Sequence, residues 1–349
     1  MKLMVINYSM ASDSLVFSHQ SETVLALAEH FESVTVFTSE NTLRKFPSNV
    51  KIITLPNFKR NKIIKAIQTL SVLLKHIQKN PDTIVFTHMT DVHAALLSPF
   101  TWLMRVRHVL WYAHAHNSPF LIWASFFVSE IVTSTPGSCN LKINKRKVNC
   151  INQGIREEDF PFFQRSLKSL NQILYYGRLD PSKNIHLLVK LVELMNKNGF
   201  SYTLDIYGGF ADPKSEEYLS NIKRQARENS SITINGPIER HLVSSLSTKY
   251  HIFLNLFSGS LDKTLIESTL LGLPVVTWNK EYCNQFGTWS KAPVSDSLDF
   301  VIKEMTYLHT ANQEEIVREI HRRLLIALNS HTFNHWIINL SKALNGKES

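Results

Sequence analysis

Two cations, Arg178 and Lys183, lie in a short segment that leads from an apolar run into an amphipathic one. Residues 173–176 are apolar or aromatic and too few for a helix, so they predict a strand that ends at Gly177. From residue 185 the apolar side chains recur with a helical period. A helix that begins directly after a strand offers free backbone N–H groups and the positive end of its dipole. An arginine and a lysine in the same turn would suit a diphosphate, although loop cations are more often simply solvated.

Three further strand-and-turn segments follow in order. Residues 204–209 indicate a strand and a glycine turn, residues 232–238 a second strand and turn, and residues 253–258 a third strand that leads into a polar segment at 259–267. Together with the sequence Gly-Arg-Leu-Asp-Pro-Ser-Lys at 177–183, this order resembles the donor-sugar half of glycosyltransferase family 4. The combination is more specific than any single glycine loop.

The resemblance implies an α/β fold of the GT-B type. In that fold two Rossmann-like domains face each other across a central cleft, and the C-terminal helix crosses back to the N-terminal domain. We expect an acceptor domain at residues 1–160, completed by a C-terminal helix near 333–349, and a nucleotide-sugar domain at residues 161–332. Residues 158–171, which are rich in phenylalanine and contain a proline, are expected to form the hinge.

The resemblance also implies roles for single residues. Arg178 and Lys183 would stabilise the departing diphosphate, and His114 would contact the sugar or the acceptor. The complete expected donor site consists of Gly177, Gly208, Gly236, Pro237, Ile238, Gly259, Ser260, Leu261, Asp262, Lys263, Thr264 and Glu267, and His88 and His116 are expected on the acceptor side.

The family's acidic signature is incomplete. Glu267 matches its second glutamate, which binds the ribose of the nucleotide, but Gly259 stands where the first glutamate would contact the donor sugar. Asp262 or Lys263 is the candidate replacement. Because a buried unpaired charge is costly, we expect these two residues to meet a ligand or each other. A solvated position on the loop is an equally open alternative for Asp262.

Strands and helices also alternate in the first half of the chain, which predicts a parallel sheet covered by helices. Two of the predicted strands, at 83–87 and 108–113, lead into histidines, namely His88, His93, His114 and His116. Strand ends of this kind face the ligand crevice in open α/β sheets. A His-x-His pair could suggest a metal site, but the sequence marks no third ligand, so we expect none.

Three helix positions are predicted from local signals. Ser21 is expected to cap a helix at 21–31, and Asn184 is expected to cap the helix that begins at residue 185. Residues 59–79 predict a basic amphipathic helix. We favour the interpretation that its apolar stripe docks on the sheet, and contact with an anionic membrane surface is the alternative.

Composition limits the class of protein. The chain has 349 residues, 44% of them hydrophobic, which suits two domains with real cores. Its net charge is +9, and residues 1–160 hold 17 lysines and arginines against 11 acidic residues. This surplus favours anionic partners, but no nucleic-acid motif accompanies it, so we expect no nucleic-acid binding.

Three scattered cysteines and an N-terminus without a signal peptide predict a cytoplasmic location. Peripheral contact with the inner face of the membrane is compatible with it.

The sequence therefore predicts a metal-independent, retaining glycosyltransferase without a cofactor. It would move a sugar from a nucleotide diphosphate sugar of the UDP or GDP type to a glycan or lipid-linked glycan in the synthesis of cell-surface polysaccharide, such as lipopolysaccharide or capsule. Two alternatives stay open: a non-catalytic GT-B protein that binds a nucleotide or glycan, because the first signature glutamate is missing, and a GT-B epimerase or phosphorylase.

Overall fold

The computed structural model describes residues 1–10, 18–40, 44–55, 62–114, 116–209, 215–227 and 229–346. They form two compact units, one comprising Met1–Asn152 with Asn334–Ser349 and the other Gln153–Phe333. Each unit contains one parallel sheet, and α-helices lie in most of the described connections between its strands, so the predicted α/β class is confirmed. Residues 59–61 of the predicted basic helix and residue 115 lie outside the described residues.

The first unit is built on a seven-stranded parallel sheet in the order β3-β2-β1-β4-β5-β6-β7. Its central strands are buried, as continuous apolar runs such as 3–6 require. The strands are β1 (Lys2–Ser9), β2 (Ser33–Glu40), β3 (Val50–Thr54), β4 (Thr83–His88), β5 (His108–Trp111), β6 (Glu130–Thr133) and β7 (Val148–Cys150). The helices are α1 (Ser18–Ala28), α2 (Lys62–Lys79), α3 (Asp91–Leu103) and α4 (Pro119–Phe127).

Two helix predictions in this unit need correction. Ser21 lies inside α1 and is fully buried, so it does not cap the helix, which begins one turn earlier than predicted. The apolar stripe of α2 packs only in its C-terminal half, where Ile77 is buried. Ile63 and Ile67, in its first half, are 67% and 62% exposed.

The second unit has a five-stranded parallel sheet in the order β10-β9-β8-β11-β12. Its strands are β8 (Gln172–Tyr176), β9 (Thr203–Tyr207), β10 (Ile232–Ile234), β11 (Ile252–Asn255) and β12 (Val275–Thr277). Its helices are α5 (Ile185–Lys197), α6 (Ser215–Arg227), α7 (Val243–Ser247), α8 (Lys263–Leu270), α9 (Lys280–Phe286), α10 (Leu298–Thr310) and α11 (Gln313–Ser330).

The second unit begins earlier than predicted. Ile155 donates its backbone N–H to the carbonyl of His331 at 2.9 Å and accepts the N–H of Phe333 at 2.7 Å, which fixes this segment beside the end of α11. Phe160 is buried in the core of the same unit. The predicted boundary after residue 160 and the predicted hinge at 158–171 therefore fall inside the second unit, where Phe160 packs into the core.

The last helix, α12 (Phe333–Leu344), returns to the first unit, as the GT-B resemblance implies. The guanidinium of Arg107, just before β5, donates to the carbonyls of Ala343 and Leu344 at the end of α12. The ring of Trp336 lies edge-on to that of Trp111, with 5.1 Å between their centroids. In the part of the chain that the structure describes, no helix is both long and apolar enough to cross a bilayer.

Candidate functional site

Three of the predicted glycines meet at one edge of the second sheet. Gly177, Gly208 and Gly236 follow the neighbouring strands β8, β9 and β10. The N–H of Gly177 donates to the carbonyl of Tyr207 at 3.0 Å, and that of Gly208 to the carbonyl of Gly236 at 3.1 Å. A Cβ atom on Gly208 would lie only 1.9 Å from the carbonyl oxygen of Gly177. Glycine is therefore required at residue 208 for these two turns to approach so closely.

The turn after β8 is shaped by its own polar side chains. The carboxylate of Asp180 accepts the N–H of Ser182 at 3.1 Å, and Pro181–Lys183 form one short helical turn. Asn184 adopts a left-handed conformation with φ of 55°. It occupies the N-cap position of α5, but its side chain makes no capping bond and instead donates to the carbonyl of Leu256 at 2.8 Å. The predicted N-cap position of Asn184 is therefore confirmed, but its side chain ties the turn to the end of β11 instead of capping α5.

The two cations of this turn have different environments. The side chain of Arg178 is 62% exposed, and its nearest acidic partner is Asp180 at 3.6 Å. The ammonium group of Lys183 is buried, lies 2.6 Å from a carboxylate oxygen of Asp262, and stands 3.6 Å above the centre of the Phe257 ring. Arg178 is thus open to a ligand, whereas Lys183 is held in place by its ion pair with Asp262.

Asp262 is positioned from two sides. Besides Lys183, the side-chain amide of Asn255 donates to it at 3.3 Å and also donates to the hydroxyl of Thr264 at 3.2 Å. The solvated alternative for Asp262 is wrong, because its side chain is only 16% exposed and ion-paired. Its partner is Lys183 rather than Lys263, whose side chain is exposed at the start of α8.

The loop between β11 and α8, which contains Gly259, Ser260 and Leu261, is held by residues that the sequence did not mark. Asn279 is fully buried, and its side-chain amide donates to the carbonyls of Phe257 and Gly259 at 3.0 Å each. The carboxylate of Glu281 accepts the N–H of Leu261 at 2.6 Å. The sequence did carry a local signal for Asn279: an asparagine two residues after a strand is a common N-cap, and here its side chain caps α9.

Glu267 lies on α8 and is buried, with 8% of its side chain exposed. Burial raises the pKa of its carboxyl group, while the nearby charges of Arg240 and Lys263 oppose that shift. Arg240 approaches one of its carboxylate oxygens to 3.1 Å. This arginine comes shortly after the Gly236 turn, and the sequence did not indicate that it contacts Glu267. Pro237, next to Gly236, is exposed, and Ile238 packs against the core beneath.

Residues 156–285, which contain all of these side chains, match the family model described as "Glycosyl transferases group 1". The predicted resemblance to glycosyltransferases is confirmed for this segment at the level of group 1, and the narrower assignment to family 4 stays a prediction. No curated protein matches the sequence.

Solved structures match both units of the chain. A glycosyltransferase from Rickettsia africae ESF-5 has a TM-score of 0.74 at 11% identity, with 99% of this chain and 98% of that chain covered. Anabaena HepE in complex with UDP has a TM-score of 0.72 at 12% identity, covering 99% and 100%. The lipopolysaccharide outer core galactosyltransferase WaaB has a TM-score of 0.69 at 12% identity, covering 99% of each chain. At these identities the likeness concerns the fold, and it confirms the predicted GT-B type.

The histidines of the first unit do not share one environment. His88 is buried, with its ring packed near those of Phe86, Trp111 and Trp336. His114 and His116, which follow β5, are exposed. The predicted acceptor-side role of His88 stays a prediction: the residue ends a buried strand, and its ring lies among aromatic side chains.

A cavity of about 420 Å³ opens in the first unit between α2 and α3. Lys65, Met89, Thr90, Asp91 and His93 are among its lining residues. The hydroxyl of Thr90 and the Nδ1 atom of His93 are buried and have no hydrogen-bond partner in the described part of the chain. Burial lowers the pKa of His93, and the charge of Lys65 lowers it further while Asp91 opposes this. The cavity thus offers unsatisfied neutral polar groups within largely apolar walls, as ligand sites commonly do.

Proposed function

We propose that the protein is a retaining glycosyltransferase that moves a sugar from a nucleotide diphosphate sugar to a glycan or lipid-linked glycan, in the synthesis of a cell-surface polysaccharide. One observation carries the proposal. Within a segment that matches group 1 glycosyl transferases, the glycine edge, the exposed Arg178, the paired Lys183 and the buried Glu267 all belong to one compact α/β unit. These are the groups that a nucleotide diphosphate needs: close backbone approach, positive charge and a carboxylate for the ribose.

The proposed chemistry rests on positioning and charge. Arg178, with its exposed planar fork of N–H groups, would bind the diphosphate directly and stabilise it as it leaves. Lys183 would supply a second positive charge from a position fixed by Asp262. Two cations in one site would serve the role that a divalent metal serves in other transferases, so we propose activity without a metal or cofactor.

The donor is proposed to be of the UDP or GDP type, with UDP favoured. One structural neighbour supports UDP, because HepE is described in complex with UDP-glucose and with UDP. WaaB, described as a galactosyltransferase of the lipopolysaccharide outer core, supports the proposed role in cell-surface polysaccharide. Gly236, Pro237 and Ile238 would lie beside the base, and Glu267 would accept from the ribose hydroxyls.

The acceptor is proposed to bind the first unit. Its cavity between α2 and α3 presents the hydroxyl of Thr90 and the imidazole of His93, which suit sugar hydroxyls. His114, exposed after β5, would contact the sugar or the acceptor. A cytoplasmic protein acting on lipid-linked acceptors would also work beside a membrane, and the first half of α2, where Ile63 and Ile67 are exposed, is one surface proposed to contact it.

A thermal-shift panel tests the donor site. UDP, GDP, ADP, CMP and their common sugar conjugates are compared with and without EDTA. A ligand present at about 100 times its Kd stabilises the folded state by about 2.7 kcal/mol. We expect one nucleotide diphosphate to raise the melting temperature, EDTA to leave that rise unchanged, and Arg178→Ala to reduce it. A panel in which no nucleotide shifts the wild type would contradict the proposal.

The non-catalytic alternative is favoured by one observation, the glycine at residue 259 in place of the first signature glutamate. Incubation with the binding nucleotide sugar and a glycan acceptor separates the possibilities. Transfer to the acceptor supports the proposed activity, binding without turnover supports the non-catalytic protein, and free epimer or sugar phosphate without acceptor supports an epimerase or phosphorylase.

A further inference from the structure

Helix α4 exposes a row of aromatic side chains. Phe120, Trp123 and Phe126 are 49%, 52% and 49% exposed. They recur every three residues and therefore share one helical face. On the opposite side Leu121 and Ala124 are fully buried. Both faces of α4 are therefore apolar. One face packs against the rest of the unit, and the other remains exposed.

This surface continues onto the end of α3. Trp102 and Leu103 are 62% and 74% exposed. The ring of Phe127 lies 6.0 Å from that of Trp102 and 5.0 Å from that of Trp123, measured between centroids, so it joins the two helices. We call Trp102, Leu103, Phe120, Trp123, Phe126 and Phe127 the aromatic face. Contiguous exposed apolar surface of this kind marks an interaction site.

Cations surround one end of the aromatic face. The ammonium group of Lys147 donates to the carbonyls of Ser125, Phe126 and Val128 at 2.8–3.0 Å, which fixes the basic segment 142–147 beside the end of α4. In that segment Lys142, Lys145 and Arg146 are exposed. Arg105, also exposed, lines a shallow cavity together with Trp102, Phe127 and Lys147.

Acidic residues are nearly absent from this part of the chain. Residues 92–155 contain six lysines and arginines and a single acidic residue, Glu130. The carboxylate of Glu130 is held by Arg107 at 2.5 Å, so it adds little negative charge to the surface. At its Lys147 end the aromatic face is therefore bordered mainly by positive charge, while at the start of α4 the carboxylate of Asp91 accepts a hydrogen bond from the hydroxyl of Ser118.

We propose that the aromatic face is the surface through which the protein binds an anionic lipid bilayer. Tryptophan and phenylalanine insert favourably at the boundary between headgroups and acyl chains, and lysine and arginine are attracted to anionic headgroups. A protein partner would also cover apolar side chains, but the excess of cations over acids favours a uniformly anionic surface. The inference does not depend on transferase activity.

The exposed half of α2 is the competing surface. Helix α3 packs against both α2 and α4, so all three helices belong to one layer of the first unit. The exposed isoleucines of α2, Ile63 and Ile67, are aliphatic, whereas the aromatic face carries two exposed tryptophans. The two surfaces are distinguished by separate double variants.

Co-sedimentation with vesicles tests the proposal. The full chain is mixed with vesicles of phosphatidylcholine alone or with phosphatidylglycerol at a molar ratio of about 7:3, and the bound fraction is measured at low and high salt. We expect the wild type to bind the anionic vesicles about tenfold more strongly than the neutral ones. Trp102→Ser/Trp123→Ser and Lys145→Glu/Arg146→Glu should each weaken that binding by about tenfold or more.

Two controls make the result specific. Leu325→Ser/Leu328→Ser removes exposed leucines from α11 of the second unit and should leave binding unchanged. Ile63→Ser/Ile67→Ser changes α2 and should have the smaller effect of the two surfaces. Circular dichroism and melting temperature check that each variant is folded. The proposal is overturned if the wild type does not bind anionic vesicles, if the folded tryptophan variant binds like the wild type, or if only the α2 variant loses binding.

Discussion

The ammonium group of Lys183 lies 2.6 Å from a carboxylate oxygen of Asp262, although the two residues are 79 positions apart. Their side chains are only 7% and 16% exposed, so each charge depends on the other. The sequence suggested a free lysine for the diphosphate and an aspartate or lysine that replaces a missing glutamate. The structure instead makes Asp262 the residue that positions Lys183, so substitutions at either residue should affect folding as well as donor binding.

A double-mutant cycle on this pair should reveal strong coupling. Asp262→Asn leaves the Lys183 ammonium buried without a counter-charge, and we expect a loss of about 3 kcal/mol in the free energy of unfolding. Lys183→Met/Asp262→Asn should lose much less than the two single variants together, because it leaves no uncompensated charge. Urea unfolding measures all four proteins. The exposed pair Arg156–Glu158 is the control, with an expected coupling below about 1 kcal/mol. Additive losses at Lys183 and Asp262 would show that the ion pair contributes nothing.

Arg178→Ala should separate activity from stability. The side chain is 62% exposed, so its removal should change urea unfolding little. If it stabilises the leaving diphosphate, kcat should fall by about 100-fold. Arg178→Lys retains the charge without the planar fork and should give an intermediate rate. Arg224→Ala removes an exposed arginine from α6 and should leave kcat unchanged. A normal kcat for Arg178→Ala would remove this residue from the catalytic site.

Gly208 and Gly236 form a matched pair of substitutions. Gly208→Ala would place its Cβ atom 1.9 Å from the carbonyl oxygen of Gly177, which forces the backbone to move. We expect a loss of about 2 kcal/mol or more in the free energy of unfolding, together with weaker nucleotide binding. Around Gly236 the corresponding position is open, with no atom within 4 Å, so Gly236→Ala should unfold like the wild type. Equal melting temperatures for the two variants would argue against a tightly packed glycine edge.

Local sequence patterns identified the strands and the glycine edge, because an apolar run that ends in glycine determines both the strand and its turn. The structure confirms the strands at 173–176 and 204–207 and the α/β class that they imply. Amino-acid composition alone gave a wrong prediction for the hinge between the two units. Residues 158–171 are predicted as a hinge because they contain several phenylalanines and a proline. In the structure Phe160 is buried in a core, and the segment belongs to the second unit.

Pairings between distant residues could not be predicted from the sequence. Lys183 meets Asp262, Arg240 meets Glu267, and Asn279 holds the loop at Gly259, each through tertiary contacts that leave no local pattern. The same limit applies to His88, which follows a strand as a ligand-binding histidine would but lies among aromatic rings. The histidine that lines the described cavity is His93, which lies in the first turn of α3 rather than at the end of β4.

Thr90→Val tests the proposed acceptor cavity with two readouts. The Thr90 hydroxyl is buried without a partner in the described structure, so removing it should slightly stabilise the protein without acceptor. If that hydroxyl binds the acceptor, kcat/KM for the acceptor should fall by about tenfold while the KM for the nucleotide sugar is unchanged. Thr87→Val is the matched control, since that hydroxyl is bonded to His108 at 2.6 Å and its loss should destabilise the fold. Unchanged acceptor kinetics in Thr90→Val would place the acceptor elsewhere.

Glu267→Gln should weaken nucleotide binding and raise the stability of the folded protein, and the gain in stability should depend on pH. Burial raises the pKa of this carboxyl group above its usual value of 4.5, so the folded protein holds the proton more tightly than the unfolded chain. The stability that Glu267 contributes is therefore present below pH 4.5 and is lost as the pH rises through the raised value. Glutamine carries no charge to desolvate, so the variant should have a higher melting temperature than the wild type at pH 8, and the difference should shrink towards pH 5.

Affinity of the Glu267→Gln variant for the nucleotide diphosphate should fall by about tenfold, because a charged acceptor for the ribose is lost. Glu217→Gln, at an exposed position on α6, should show neither effect. A variant that melts lower than the wild type at pH 8 would mean that the ion pair with Arg240 outweighs the cost of burying the carboxylate.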